Sequence, residues 1–353
     1  MDVDELRGRR LRAQGLGTSR FRDGIEAVRR LAAVQAQELP GALWGVALRT
    51  SAPSRSDLVA ALDRGDLLRA HVLRPTWHIT LGEDLGWLQR LTGPRVERAV
   101  GSNYRAHGLD AAELRRAGAA IEHALRGGRA MTRPQLVAVL DTAGVDTADP
   151  VRLAHITIHA EATGLICSGP SFAGRATYAL LRERVREPRT LTDDAARDEL
   201  VLRYLATRSP ATDRDVAWWS GMTLGTVRAA LAALGDQLTR HACADVEYWS
   251  GGAHPGSTVS APDEILLLPA YDEYLVSYAD RSALIDQAAS RPSEGRRNPL
   301  FDKAIVERGV VVGTWSLDRR SGRVEPHFFG VCDAGRRRTF AAAADRYQDF
   351  MRS

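Results

Sequence analysis

The stretch Ala211 to Ser250 reads ATDRDVAWWSGMTLGTVRAALAALGDQLTRHACADVEYWS. Thr212 stands where a helix N-cap belongs, and Val216, Trp218 and Trp219 follow as the apolar residues of a short helix. Gly221 marks a turn, because glycine accepts backbone angles closed to other residues. Thr223 caps a further helix, Leu224 to Leu234, and Gln237 to Ser250 reads as a polar β-ribbon. A helix beginning near Ala195 and carrying Leu200, Val201, Tyr204 and Leu205 precedes them. Helix, helix, turn, helix and two-stranded wing is the order of a winged-helix unit. Such units place one helix in the DNA major groove and lay the wing on backbone or minor groove.

The same rhythm appears twice more upstream. Residues 111–126 form an amphipathic helix with Leu114, Ala117, Ile121 and Leu125 inward. Thr132 caps a short helix holding Leu136, Val137, Val139 and Leu140, with Pro134 in its first turn. A third helix is expected from Val151 to Thr163, then a hairpin running from Leu165 through a Gly/Pro tip back to Tyr178. At the start of the chain an arginine-rich segment (Arg7, Arg9, Arg10, Arg12) precedes a helix from Gly24 to Gln37, which Pro40 is expected to end. A helix from Ser56 to Arg64 follows, then two strands turning at Pro75. The last hundred residues read as a small β-rich domain, with strands at Glu264 to Pro269, Val306 to Trp315 and Val324 to Phe329 and a polar loop from Gln287 to Pro299. The expected class is therefore α+β, with units at 1–110, 111–192 and 193–258 and a closing domain at 259–353. Helix-and-hairpin units also serve as protein-contact modules; three of them in one basic chain favour DNA.

Composition narrows the field. The 353 residues carry a net charge of +4, with 44% hydrophobic and 26% charged residues, as in an ordinary globular protein. No run of about 18 apolar residues is present, so no membrane span is expected. The N-terminus is acidic, with no apolar stretch to suggest a secretion signal. Cys167, Cys243 and Cys332 lie far apart, which argues against a disulfide framework and a CxxC zinc site and suggests a reducing cytoplasm. Lys303 is the only lysine. The positive surface is thus made of arginine forks, which suit phosphate and guanine edges, although codon bias alone gives the same composition. No Walker motif and no GxGxxG after a strand is found, so no nucleotide cofactor is implied.

Gln35-Ala36-Gln37, then Leu43-Trp44-Gly45, Arg74-Pro75-Thr76-Trp77-His78 and Leu266-Leu267-Leu268-Pro269-Ala270-Tyr271-Asp272 occur in that order. Together they resemble the AlkZ/YcaQ (AlkX) family of winged-helix DNA glycosylases over nearly the whole chain. That resemblance implies three tandem winged-helix units followed by a C-terminal β-barrel-like domain. It implies excision of bulky N7-alkylguanines, in some members unhooking of interstrand crosslinks, and in several self-resistance to a DNA-alkylating natural product. The family's catalytic motif is Gln-apolar-Gln in the AlkZ branch, which places Gln35 and Gln37 as catalytic residues.

Glutamine is no general base, since its amide offers only a carbonyl acceptor and two N–H donors. An N7-alkylated purine, however, is already cationic and leaves without protonation. Two amides that hold water and stabilise a sugar cation then suffice, and no metal or cofactor is needed. Residues i and i+2 do not share a helix face, so the expected helix must end or distort near Gln37. Both glutamines also read as solvated residues at a helix end.

The further candidates are DNA contacts: Arg69, Arg74, Trp77 and His78 on the first hairpin, Arg133 at a helix start, and Phe172 with Arg175 at the Gly/Pro tip. Phenylalanine is suited to wedge between base steps and arginine to enter a minor groove, yet each also reads as ordinary surface. His155 and His159 have i, i+4 metal spacing without a third ligand. Asp272, Glu273 and Asp280 form an acidic cluster that a nuclease would use to hold Mg²⁺. Three readings stand at this point: a monofunctional glycosylase in base excision repair, a winged-helix transcriptional regulator, and a metal-dependent nuclease. All take double-stranded DNA as partner. The glycosylase is expected to be a monomer, cytoplasmic and nucleoid-associated, acting on alkylated purines.

Overall fold

The computed structural model describes residues 1–17, 20–243, 246–252, 264–285, 302–318 and 320–353. The polar stretch Gln287 to Pro299 lies outside them. The chain divides into two compact units. One comprises Met1–Asp57, Asp198–Trp219 and Thr223–Ser353; the other comprises Leu58–Arg197 and Ser220–Met222.

In the first unit, helix Val3–Ala13 starts at an Asp2 cap that accepts the Glu5 N–H at 2.7 Å. Its arginines are not all surface groups. Arg10 is buried, donates to the Pro210 carbonyl at 3.0 Å and lies 3.8 Å over the Tyr278 ring. Helix Gly24–Leu31 begins at an Asp23 cap and buries Ala27, Val28 and Leu31. It stops six residues short of the expected Gln37. Ala32 takes a left-handed φ of 64°, and the chain continues as a strand, Ala33–Gln35. Pro40 corrects the sequence reading too. It begins a helix, Leu39–Ala47, from within the first turn, where a missing N–H costs nothing.

The end of this unit is a four-stranded antiparallel sheet. Ala304–Glu307 pairs with Ile265–Leu268 on one side and with Val310–Leu317 on the other, and Val324–Phe328 pairs with the outer edge of Val310–Leu317. The strands Ile265–Leu268 and Ala304–Glu307 carry the fully buried Ile265, Leu268, Ala304, Ile305 and Val306. Among the described residues the sheet is open and does not close into a barrel. A helix the sequence reading did not include, Ala334–Arg352, packs on strand Ile265–Leu268 and buries Phe340, Ala343, Tyr347 and Phe350. Tyr347 meets the rings of Trp44 and Trp315 at 5.3 and 4.8 Å, edge to face, a favoured aromatic geometry.

The second unit is mainly helical. Helix Gly82–Ala106 runs 25 residues through Pro94, against its local propensity. Packing prevails, with Leu85, Leu88, Val96, Val100 and Tyr104 buried along one side and Trp87 buried on the other. A Cβ at Gly93 would run into the Ala162 carbonyl, so glycine permits the close approach of helix Pro150–Ala162. Helices Ala111–Leu125 and Arg133–Thr142 lie near their expected positions. At the latter a capping box is complete, with the Thr132 N–H donating to Gln135 Oε1 at 2.8 Å. Hairpins Leu67–His71/Trp77–Leu81 and Ile166–Ser168/Thr177–Leu180 complete the unit. Downstream, helices Asp193–Arg208, Asp213–Ser220 and Leu224–Leu234 and the ribbon Leu238–Cys243/Val246–Gly251 follow the expected order. No helix among the described residues is long and apolar enough to cross a membrane.

Candidate active site

Gln35 closes the short strand and is 7% exposed; Gln37 is exposed two residues later, just before helix Leu39–Ala47. Gln37 lies in a bend beyond the strand, so the segment is free of the helix in which residues i and i+2 diverge. The Gln35 N–H donates to Glu273 Oε1 at 2.8 Å. The other oxygen of that carboxylate accepts from Arg208 Nη2 at 2.8 Å, Trp219 Nε1 at 2.9 Å and Ser277 Oγ at 2.8 Å. Arg208 in turn donates to the carbonyls of Leu31 at 3.0 Å and Ala33 at 3.1 Å, on either side of Ala32. Both charged side chains are fully buried.

A second buried pair adjoins in sequence. Arg49 forks onto Asp272 at 2.9 and 2.8 Å and also donates to Gln14 and to the Gly45 carbonyl. Asp272 further caps the short helix Glu273–Val276 by accepting the Tyr274 N–H. The acidic cluster thus falls apart as a metal site. Asp272 and Glu273 answer two different arginines, while Asp280 accepts the Ser282 N–H, a bond that holds its pKa below the usual carboxylate range. No group of three or more potential ligands gathers among the described residues. Arg208 is a functional candidate that the sequence reading missed, and Glu273 stood there only as a possible metal ligand of a nuclease. The Asp272-Glu273 pair was visible as charge in an apolar stretch, but its partners were not.

The proposed DNA contacts fall into separate sets. On the first hairpin, Arg69 lies 4.2 Å over the Trp77 ring, and burial lowers its pKa. Trp77 also stacks 4.6 Å from His71 and donates to Glu161, the buried carboxylate that His71 Nδ1 contacts. Arg74 is half-buried beside the exposed Pro75 tip, where Leu73 has a φ of 63°. His78 points elsewhere: it is fully buried with Nδ1 3.0 Å from the Thr76 carbonyl, and offers no surface to a nucleic acid. Arg133 stands apart, half-buried and donating to the Pro150 carbonyl at 3.2 Å.

Phe172 and Arg175 face each other across a two-residue tip, each N–H bonded to the other's carbonyl. Ala173 and Gly174 between them both have positive φ, 49° and 73°, the signature of a type I′ turn. Phe172 is 67% exposed and Arg175 is exposed. His155 and His159 have protein neighbours instead of a shared ligand. His159 Nδ1 lies 2.6 Å from Glu97, and His155 stacks edge-on to Tyr104, with burial lowering its pKa.

A family model of DNA glycosylase AlkZ-like proteins matches residues 28–350. The chain belongs to the AlkZ-like DNA glycosylase family. It is accordingly an enzyme that cleaves N-glycosidic bonds in DNA, and the regulator reading is not favoured. An interstrand DNA cross-link repair glycosylase from Streptomyces sahachiroi is 24% identical over 311 residues, covering 83% of this chain and 81% of that protein. The solved structure of the Streptomyces sahachiroi DNA glycosylase AlkZ superposes with a TM-score of 0.81 at 20% identity. It covers 99% of this chain and 96% of the other, which establishes a shared fold.

Proposed function

We propose that this AlkZ-like glycosylase hydrolyses the N-glycosidic bond of bulky N7-alkylated purines in duplex DNA, with Gln35 and Gln37 as its catalytic residues. The observation that carries the reading is the setting of the Gln35-Ala36-Gln37 segment. It lies outside any helix, with Gln35 ending a strand, its backbone held by a buried carboxylate, and Gln37 in a bend open to solvent. Their amide carbonyls orient the attacking water and face the positive charge that grows on the sugar as the bond breaks. Neither amide can deliver a proton, which restricts the substrates to bases that leave as they stand. Lys303, the only lysine, lies far in sequence from the glutamines, so the enzyme stops at the abasic site without β-elimination.

The crosslink-repair role of the Streptomyces sahachiroi relative supports extending the substrates to interstrand crosslinks. The biology is base excision repair or self-resistance to a DNA-alkylating natural product. In this reading segments 1–110, 111–192 and 193–258 are winged-helix units and 259–353 a β-barrel-like closing domain. The monomer works on DNA in the cytoplasm, at the nucleoid. Arg69, Arg74, Trp77, Arg133, Phe172 and Arg175 contact DNA.

The test is release of free modified base from N7-alkylguanine duplexes in EDTA. Wild type is expected to release it and leave an alkali-labile site. Gln35→Ala and Gln37→Ala are each expected to lose roughly 100-fold or more in single-turnover rate, the scale of removing one preorganised polar group from a transition state. No release from any such lesion, or loss of activity in EDTA alone, sinks the reading.

A further inference from the structure

We propose that the buried Arg208–Glu273 ion pair is the positioning device of the glycosidic site, setting both the path and the electrostatic balance of the glutamine segment. This rests on the assignment of Gln35 above.

Four hydrogen bonds make the case. Arg208 holds the carbonyls of Leu31 and Ala33, the last residue of one helix and the first of the strand. Between them Ala32 sits at φ 64°, a conformation that a residue with a side chain keeps only when its surroundings impose it. Glu273 takes the Gln35 N–H at the far end of the strand and binds Arg208 with its other oxygen. One ion pair therefore spans the segment from Leu31 to Gln35 and determines where the helix stops. Without it, the local sequence reads as helix onward to Gln37, a form in which the two glutamines diverge. The pair is itself held: Arg208 donates to Ser277 Oγ at 2.9 Å and lies 4.3 Å over the Trp219 ring, whose N–H binds Glu273.

Charge adds a second effect. The reaction builds positive charge on the sugar near Gln35. The intact pair is close to neutral as seen from there. With Glu273 neutralised, the Arg208 guanidinium remains as an uncompensated buried cation beside a site that must accept another. Glu273 is a positioning residue in this scheme and forms no bond to substrate.

The experiment compares single-turnover excision, duplex-DNA affinity and folding for Glu273→Gln, Arg208→Met, and the control Asp272→Asn. The control breaks the neighbouring buried pair, whose bonds run to Gln14, Gly45 and Tyr274 and not to the glutamine segment. Glu273→Gln keeps the shape and an acceptor for the Gln35 N–H. Its rate is expected to fall about 100-fold, the penalty for an ångström-scale misplacement of reacting groups, with DNA affinity unchanged. Arg208→Met, which removes the bonds to the Leu31 and Ala33 carbonyls, is expected to lose at least as much rate, again with DNA affinity unchanged. Asp272→Asn is expected to lower stability comparably while its folded fraction keeps at least a third of the rate. A rate for Glu273→Gln within threefold of wild type, or an equal loss in the control, overturns the proposal. Gln35→Ala run alongside separates the two ideas. If Gln35→Ala is inactive while Glu273→Gln is not, only the positioning role fails. If Gln35→Ala stays active, the glutamine assignment fails and the positioning role with it.

Discussion

The Gln35 strand and the Phe172 tip differ in nearly everything that surrounds them. Gln35 is 7% exposed, and its backbone is tied to a carboxylate 238 residues away. Phe172 is 67% exposed, and its tip is closed by a turn of four consecutive residues. The first is built from distant parts by a buried ion pair; the second is specified locally by the turn chemistry of Ala173 and Gly174. Groups that face a developing charge must not move during the reaction, so they sit in a rigid polar frame. A side chain meant to enter a base stack has to stand clear of its own protein, so it carries little of the fold's stability.

Stability separates the two most sharply. Glu273→Leu strands a buried guanidinium and is expected to cost about 3–5 kcal/mol, read from the denaturant midpoint. Phe172→Ala is expected to change it by less than about 0.5 kcal/mol. Equal costs would erase the contrast. In activity, Phe172→Ala is expected to lower excision from duplex DNA about tenfold, losing a contact of the size that base stacking on an aromatic supplies. Its rate on single-stranded lesions should change less; an equal loss on both would mean that the tip does not act on the stack. The smallest effect belongs to Arg175→Ala. Losing one phosphate contact should shallow the slope of log affinity against log salt by about 0.9. An unchanged slope would place Arg175 away from the backbone.

The same contrast explains what was legible in the sequence. Helix Arg133–Thr142 and helix Leu224–Leu234 announce themselves through Thr132, Gln135 and Thr223, whose capping partners lie three residues off. Helix Ala334–Arg352 was equally readable, since Phe340, Ala343, Ala344, Tyr347 and Phe350 have helical spacing, but the surrounding strands drew the reading toward β structure. Helix Gly82–Ala106 was hidden by Gly86, Gly93, Pro94 and Gly101, where propensity says a helix should break; of these only Gly93 lies against a neighbouring backbone. The stop at Leu31 was out of reach. Nothing local to Ala32 forbids helix, and the arginine that pulls the chain off course arrives 177 residues later. The proposed assignment of Gln35 and Gln37 rests on their motif and its order with the later ones. Their non-helical backbone, and the pairing of Asp272 with Arg49 and of Glu273 with Arg208, depended on contacts that no spacing encodes.

The separation between Gln35 and Glu273 also has a consequence in time. A ribosome adding about 5–20 residues per second needs roughly 10–50 s to travel from one to the other. For that interval the nascent chain carries the glutamine motif with no carboxylate to seat it. With the roles proposed above, excision begins only once Glu273 has been made, and products of interrupted translation that end before it carry the motif without its positioning carboxylate.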